Sequence, residues 1–294
     1  MNDLRIASID GVSTIKEAAW DELVGDDSPF LEHAFLGALE ETGCVGPGTG
    51  WTPHILCAYR SVEGEEELVG ALPSYIKNHS AGEFVFDWGW ADAAHRSGID
   101  YYPKAVVQVP FTPVMGRRIL VAPEAEDPQA VRERLVGAAV DWCERDGLSS
   151  VHFNFVLPEE LEALEAHDLP IRKSFQYHWP NGGPDGSGEC YDDFEEFLGT
   201  LRSKKRSNIK RQRRGFAERG GTTRLVAGDE VTNDDLRRMY GYYRDTVNKY
   251  FGGSLYLNEE FYLELGRRMP EKLHIVFAEQ NGETFGGAFN IFKG

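Results

Sequence analysis

At 294 residues the chain is long enough for two ordinary domains, and 41% hydrophobic with 27% charged residues marks it as globular. It contains no run of 18 apolar residues and its first residues, MNDLRIASID, carry no basic or apolar leader pattern, so we expect no membrane insertion and a cytoplasmic protein. A net charge of −17, with ten lysines against 48 acids, argues against DNA or a polyanion binding across the whole surface, and four scattered cysteines without a C-x-x-C pair argue against a disulfide framework or a zinc site.

In chain order, residues 4–9 read as a strand and 14–23 as a helix. Ser28 and Pro29 then open a second helix over 30–41, serine as N-cap and proline just inside. The glycine-rich GCVGPGTG at 43–50 is followed by Trp51-Thr52-Pro53 instead of a helix start, so it reads as a loop and not a phosphate cradle. Residues 54–60 and 68–77 form a hairpin across an acidic turn.

The stretch 83–113 concentrates rings and ionisable groups. Phe84, Phe86, Trp88 and Trp90 fall at period two, which expects an extended segment with Phe84 and Phe86 facing a core. Trp88, Trp90, Tyr101 and Tyr102 lie among Asp87, Asp92, His95 and Lys104 and read equally as core or as the walls of a binding pocket. The spacing of Asp87, Asp92 and His95 matches no metal-ligand signature, so no metal is expected.

Strands follow at 105–109 and 118–121, a proline-started helix at 127–146, a strand at 150–155, a helix at 158–167 and a strand at 171–179. His152, Asn154, His178 and Asn181 read as buried polar groups with satisfied hydrogen bonds. PNGGPDGSGE, residues 180–189, is a linker, giving a first domain over 1–180, a linker over 181–190 and a second domain over 191–294. The second domain reads as helix, basic helix, strand (223–226), two helices (233–250 and 258–269) and a closing hairpin turning at Asn281-Gly282. That hairpin repeats the layout of the first one weakly, which suggests two copies of one unit. The second copy is shorter and stops just after a strand, so a fragment with an incomplete second domain is expected.

The basic helix is the sharpest local signal. Residues 201–219 carry +8, leaving −25 on the other 275. Six like-charged pairs at three- or four-residue spacing oppose the isolated helix by about 1–3 kcal/mol. Either the protein's own acids or an anionic ligand offsets that, with Arg202, Arg206, Lys210 and Arg213 as the phosphate-binding candidates.

Several blocks together resemble the bacterial FemAB-like family of predicted N-acyltransferases, known as peptidoglycan biosynthesis/recognition proteins and part of the GNAT superfamily. They are SPFLEHAFLGALEETGCV from Ser28, GEFVFDWGWADA from Gly82, YYPKAVVQVPFTPVMGRRIL from Tyr101, QYHWPN from Gln176 and DDFEEFLGTLRSKKRSNIKRQRR from Asp192. The resemblance implies an α/β fold of two GNAT-like domains (the acyl-CoA N-acyltransferase fold), with mixed, mostly antiparallel sheets flanked by helices. It implies transfer of an acyl or aminoacyl group to a small-molecule or peptide amine. Acyl-CoA or aminoacyl-tRNA would be a co-substrate, with no permanently bound cofactor. The KKRSNIK run from Lys204 is similar to the basic helix of Fem peptidyltransferases. Gln212 to Ala217 fits the GNAT pyrophosphate pattern Q-x-x-G-x-A, but inside a helix that precedes its strand.

Amide formation needs a free amine, a polarised carbonyl and orientation of both partners. The residues expected to supply these are Asp92 or His95 as proton acceptor, with Asp87, Trp88, Trp90, Tyr101, Tyr102 and Lys104 around the acceptor. The other reading is a non-catalytic module that binds a peptidoglycan or exopolysaccharide precursor.

Overall fold

The computed structural model describes residues 4–183, 188–250 and 253–293. In chain order the elements are β1 (Arg5–Ile9), α1 (Glu17–Val24), α2 (His33–Glu41), β2 (Trp51–Pro53), β3 (Ile55–Val62), β4 (Glu65–Leu72), β5 (Ser74–Lys77), α3 (Trp88–Arg96), β6 (Lys104–Val107) and β7 (Leu120–Val121). Then come α4 (Pro128–Asp146), β8 (Val151–Phe153), α5 (Leu161–Glu165), α6 (Phe194–Gly199), α7 (Ser203–Glu218), β9 (Gly221–Ala227), α8 (Asn233–Asn248), α9 (Glu259–Arg268), β10 (Leu273–Gln280) and β11 (Glu283–Ile291). The protein is mixed α/β: two four-stranded sheets, ordered β1-β3-β4-β7 and β2-β5-β6-β8, and a three-stranded sheet β11-β10-β9, with helices beside them. Among the described residues no helix is long and apolar enough to cross a membrane.

The chain divides into two compact units. The first runs to Leu169 and includes 227–275 and the chain from Phe289; the second comprises 170–226 and 276–288. The expected linker lies in the second unit, and its residues 184–187 fall outside the described ones.

The first hairpin organises the first unit. Its turn is Glu63-Gly64, both at positive φ, which suits the tight reversal between β3 and β4. Pro73 interrupts the return strand, because it has no N–H to give a ladder. Upstream of it β7 pairs with Gly70 and Ala71, and downstream β6 pairs with β5, so the sheet forks there. Strand side chains Leu56, Val69, Leu72 and Val107 pack on Val131, Leu135 and Trp142 of α4. Asp127 caps α4 by accepting from the Ala130 amide (3.0 Å), Pro128 begins it, and Gly147 at φ 67° ends it in the left-handed conformation.

Some expectations need correction. The second helix starts at His33, not Phe30: Ser28 Oγ does accept from the Phe30 amide (3.3 Å), but Asp21 Oδ1 takes the His33 amide (2.8 Å) and sets the start there. Residues 84–90 are not a strand. Phe84 and Phe86 adopt positive φ of 59° and 53° and are 38% and 74% exposed, and the alanine-rich WADAAHR becomes α3. His178 and Asn181 are exposed, not buried. Among the described residues, 171–179 belong to none of the sheets. The Asn281-Gly282 turn forms as expected, with φ of 53° and 83°.

Candidate functional site

In the first unit, β5, β6 and β8 bring charge to one face of a sheet. Lys77 stands directly opposite Lys104 across the antiparallel β5/β6 pair, and His152 is opposite Val106 across the parallel β6/β8 pair. Side chains alternate along a strand, so residues 104 and 106 share a face, and Lys77, Lys104 and His152 therefore share it too.

A buried ammonium demands partners, and the segment after β5 supplies them. Lys104 Nζ donates to Asp87 Oδ2 (2.6 Å), Glu83 Oε2 (2.9 Å) and Ser80 Oγ (3.1 Å), and the Lys104 and Glu83 side chains are wholly inaccessible. The Tyr101 hydroxyl donates to Asp87 Oδ2 (2.8 Å), and Tyr102 shares a hydrogen bond with Ser80 (2.6 Å). The rings of Tyr101 and Tyr102 meet edge to face at 5.1 Å. Behind them Gln108 donates to the Glu83 carbonyl (3.2 Å) and receives a bond from Asn154 (2.8 Å). Lys77 Nζ donates to the Ala81 carbonyl (3.1 Å) and lies 3.7 Å from the Trp51 ring centroid. Each carboxylate keeps one buried oxygen, Glu83 Oε1 and Asp87 Oδ1, without a hydrogen-bond partner.

These surroundings set the protonation states. Burial pushes the Glu83 carboxyl up despite the pull of Lys104. Burial also pushes Asp87 up, but hydrogen bonds led by the one from Lys104 outweigh it and hold the carboxyl below its ordinary value. Burial, aided by Lys104, lowers Lys77 to about 7 and His152 to about 4. Tyr101 is raised by burial and by its bond to Asp87, so it stays a hydrogen-bond donor. His152 is a neutral imidazole at pH 7, with Nε2 3.0 Å from Ser150 Oγ. The donor atoms of Glu83, Asp87 and His152 lie within 4.8 Å of one another, as a metal site requires, and Lys104 competes for the same carboxylates.

Asp87, Tyr101, Tyr102 and Lys104 are thus brought together, whereas the other expected residues of this stretch stand outside the cluster. Trp88 and Trp90 are 55% and 65% exposed on α3, a helix that buries none of its side chains. Asp92 and His95 are exposed on the same helix, and Asp92 pairs with Arg96 at 3.1 Å. Trp88, Asp92 and His95 follow one another at four- and three-residue spacing and so form one stripe. Asp87 is the N-cap residue of α3, and its bonds to Lys104 and Tyr101 anchor the helix to the sheet.

In the second unit α7 buries no side chain. Lys210 pairs with Glu195, Arg213 stacks 4.2 Å from the Phe194 ring centroid, and Arg206 Nη1 reaches the Gly199 carbonyl at 3.4 Å. A cleft of about 420 Å³ between α6 and α7 is lined by Phe194, Glu195, Leu198, Lys210, Arg213 and Arg214. Arg202 precedes the helix as its N-cap residue and is exposed.

Sequence reasoning missed Lys77, Ser80 and Glu83 and took His152 for a core residue. One signal was available: lysine is almost never fully buried without a partner, and Lys77 and Lys104 each adjoin an apolar strand run.

The family described as FemAB-like, peptidoglycan biosynthesis/recognition, matches residues 11–294. No curated protein matches the chain. Among solved structures, a ribosomal-protein-alanine N-acetyltransferase from Brucella melitensis biovar Abortus 2308 is similar over 60% of this chain and 97% of that one. The identity is 14% and the TM-score 0.28, a loose likeness.

Proposed function

The chain belongs to the FemAB-like family of peptidoglycan biosynthesis and recognition, and on that premise we propose that it transfers an acyl or aminoacyl group to an amine acceptor of the cell envelope. The observation that carries the reading is the setting of α3. A charge-paired, buried base at Asp87 fixes the helix, while the stripe Trp88, Asp92, His95 stays open to solvent. Such an element holds a ligand without having to be ordered by it. Trp88 and Trp90 offer rings to the acceptor's apolar surface, and the exposed Asp92 carboxylate accepts hydrogen bonds from its amine.

In the reaction the amine nitrogen attacks the donor's acyl carbon, forming a C–N bond as the donor's C–S or C–O bond breaks. The leaving sulfur or oxygen departs with the electron pair and is protonated from solvent. The amine's proton passes to Asp92 or His95, directly or through a water molecule. Taken by itself, the basic helix of the second unit offers Arg202, Arg206, Lys210 and Arg213 to a phosphate-bearing ligand such as acyl-CoA or aminoacyl-tRNA.

The test is turnover with acyl-CoA and aminoacyl-tRNA donors against amine-bearing envelope precursors. Asp92→Asn combined with His95→Gln is expected to lower kcat by about 10²–10⁴, and Trp88→Ala to raise KM. Undiminished kcat in the double variant removes the proton-transfer role, and donor KM unchanged by salt and by Arg206→Ala removes the phosphate role. The two exposed tryptophans also suit a non-catalytic module that stacks on a sugar-bearing precursor, and precursor binding without turnover for any donor would establish that reading instead.

A further inference from the structure

Two buried oxygens on the face shared by β5, β6 and β8 have no use in the hydrogen-bond network around them. The Glu83 and Asp87 side chains are 0% and 3% accessible, and Lys104 Nζ binds Oε2 of the first and Oδ2 of the second. The other oxygen of each, Glu83 Oε1 and Asp87 Oδ1, is buried and receives no hydrogen bond among the described residues. A carboxylate oxygen held out of water without a donor is costly, and an ion or a water molecule is what relieves it.

The third neighbour selects the ion. His152 of β8 brings a ring nitrogen, and one donor atom from each of Glu83, Asp87 and His152 lies within 4.8 Å of the other two. Ser150 Oγ, 3.0 Å from Nε2, orients the ring, and the imidazole is neutral at pH 7, the form that binds a metal. Ligands about 2.0–2.2 Å from a tetrahedral zinc lie roughly 3.3–3.6 Å apart, so the donors close in by no more than about 1.5 Å. Charge permits it as well. Two ionised carboxylates and the Lys104 ammonium leave −1, and Lys77, pushed down to about 7 by burial, adds between 0 and +1. A divalent ion then brings the centre to between +1 and +2, the charges of open zinc sites built from two histidines and a glutamate or from three histidines.

We propose that Glu83, Asp87 and His152 hold one divalent ion of the zinc class, with water completing its coordination. Two carboxylates and an imidazole favour zinc, iron or cobalt over magnesium and calcium, which take oxygen ligands. Lys104 and Tyr101 keep their bonds to the outer oxygens, as partners of carboxylate ligands do in metal sites. The ion ties the segment ahead of α3 to β8, the last strand of its sheet. The set is separate from the exposed stripe Trp88, Asp92, His95, so it stands whether or not the chain turns over an acyl donor.

The untagged chain, stripped with a chelator and titrated with Co²⁺ as a spectroscopic substitute for Zn²⁺, tests this. One Co²⁺ per chain is expected, with visible absorption typical of nitrogen and oxygen ligands, and Zn²⁺ should displace it. Glu83→Gln and His152→Ala should each weaken binding at least about tenfold. His178→Ala, at an exposed histidine outside the set, should leave it unchanged. Anomalous scattering at the zinc edge from crystals of the unaltered chain, which depends on no variant folding, should place the ion between Glu83 and His152. No binding up to high micromolar metal, undiminished affinity in both ligand variants, or zinc held by other residues overturns the proposal.

Discussion

The protein uses lysine and arginine in two opposite ways. At β5 and β6 two lysines are withdrawn from water, and one of them is enclosed by two carboxylates, two tyrosines and a serine. On α7 the cations stand in solvent on a helix with no buried side chain. The first arrangement fixes geometry, since removing Lys104 or its carboxylate partners strands a charge in a medium of low polarity. The second contributes little to stability, since its contacts, such as the exposed pair Lys210–Glu195, lie in solvent.

The contrast is broken most severely at its buried end. Lys104→Met leaves two buried carboxylates without their hydrogen-bonded counter-charge, only Lys77 remaining near them, and is expected to cost about 3–5 kcal/mol in denaturant unfolding. Adding Glu83→Gln to that variant should restore part of the loss, because one of the stranded charges is gone. If Lys104→Met unfolds at the same denaturant concentration as the parent, the ammonium does not hold the segment 80–87.

Next in size is an effect of acid. His152 has a value near 4 in the folded protein against 6.5 when unperturbed, so below pH 6.5 the unfolded chain binds a proton that the folded chain refuses. Stability from this group is complete above about 6.5 and is lost as the pH falls towards 4, by up to about 3 kcal/mol. His152→Gln should flatten that limb of the stability–pH curve. Lys77 works in the alkaline range with a related sign: its value of about 7 lies below 10.5, so stability rises with pH between the two.

These groups also show what could be read from the residues alone. The hairpin, α4 with its cap and the Asn281-Gly282 turn were legible because local chemistry determines them: positive φ at turns, an acid before proline, a glycine at the helix end. Asp87, Tyr101, Tyr102 and Lys104 were legible as a group because they fall close together in the chain. Glu83 joins them only through burial against a distant face, and His152 arrives from β8 by a parallel pairing that no neighbouring residue announces. Phe84 and Phe86 misled for the complementary reason. Their period of two was real, but Asp87 and Glu83 are tied to Lys104, and that tether bends the chain into positive φ where a strand would have continued. Residues 171–179 carry the same alternation, yet they join none of the sheets among the described residues.

A smaller change sharpens the buried side. Tyr101→Phe deletes one hydrogen bond to Asp87 while the salt bridge from Lys104 remains. A bond to a charged group is worth about 1.5–3 kcal/mol, and the part-exposed position of Tyr101 puts the expected loss at the lower end. The Asp87 carboxyl, which that bond helps to hold down, should titrate higher in the variant by NMR. An unchanged titration would mean that Lys104 alone sets its charge.

The smallest effect comes from the exposed side and is the most informative about function. Lys210 pairs with Glu195 across solvent, with side chains 43% and 64% accessible. Salt screens such a pair, and Lys210→Ala should change stability by no more than about 0.5 kcal/mol. If α7 binds phosphate as proposed, the same substitution removes one of its cations, so it should lower the salt dependence of donor binding by close to one counterion's worth. Equal loss of stability at Lys104 and Lys210 would erase the distinction between the two regions. Stability preserved at Lys210 together with a reduced salt slope would show that α7 carries its charge for a ligand and not for the fold.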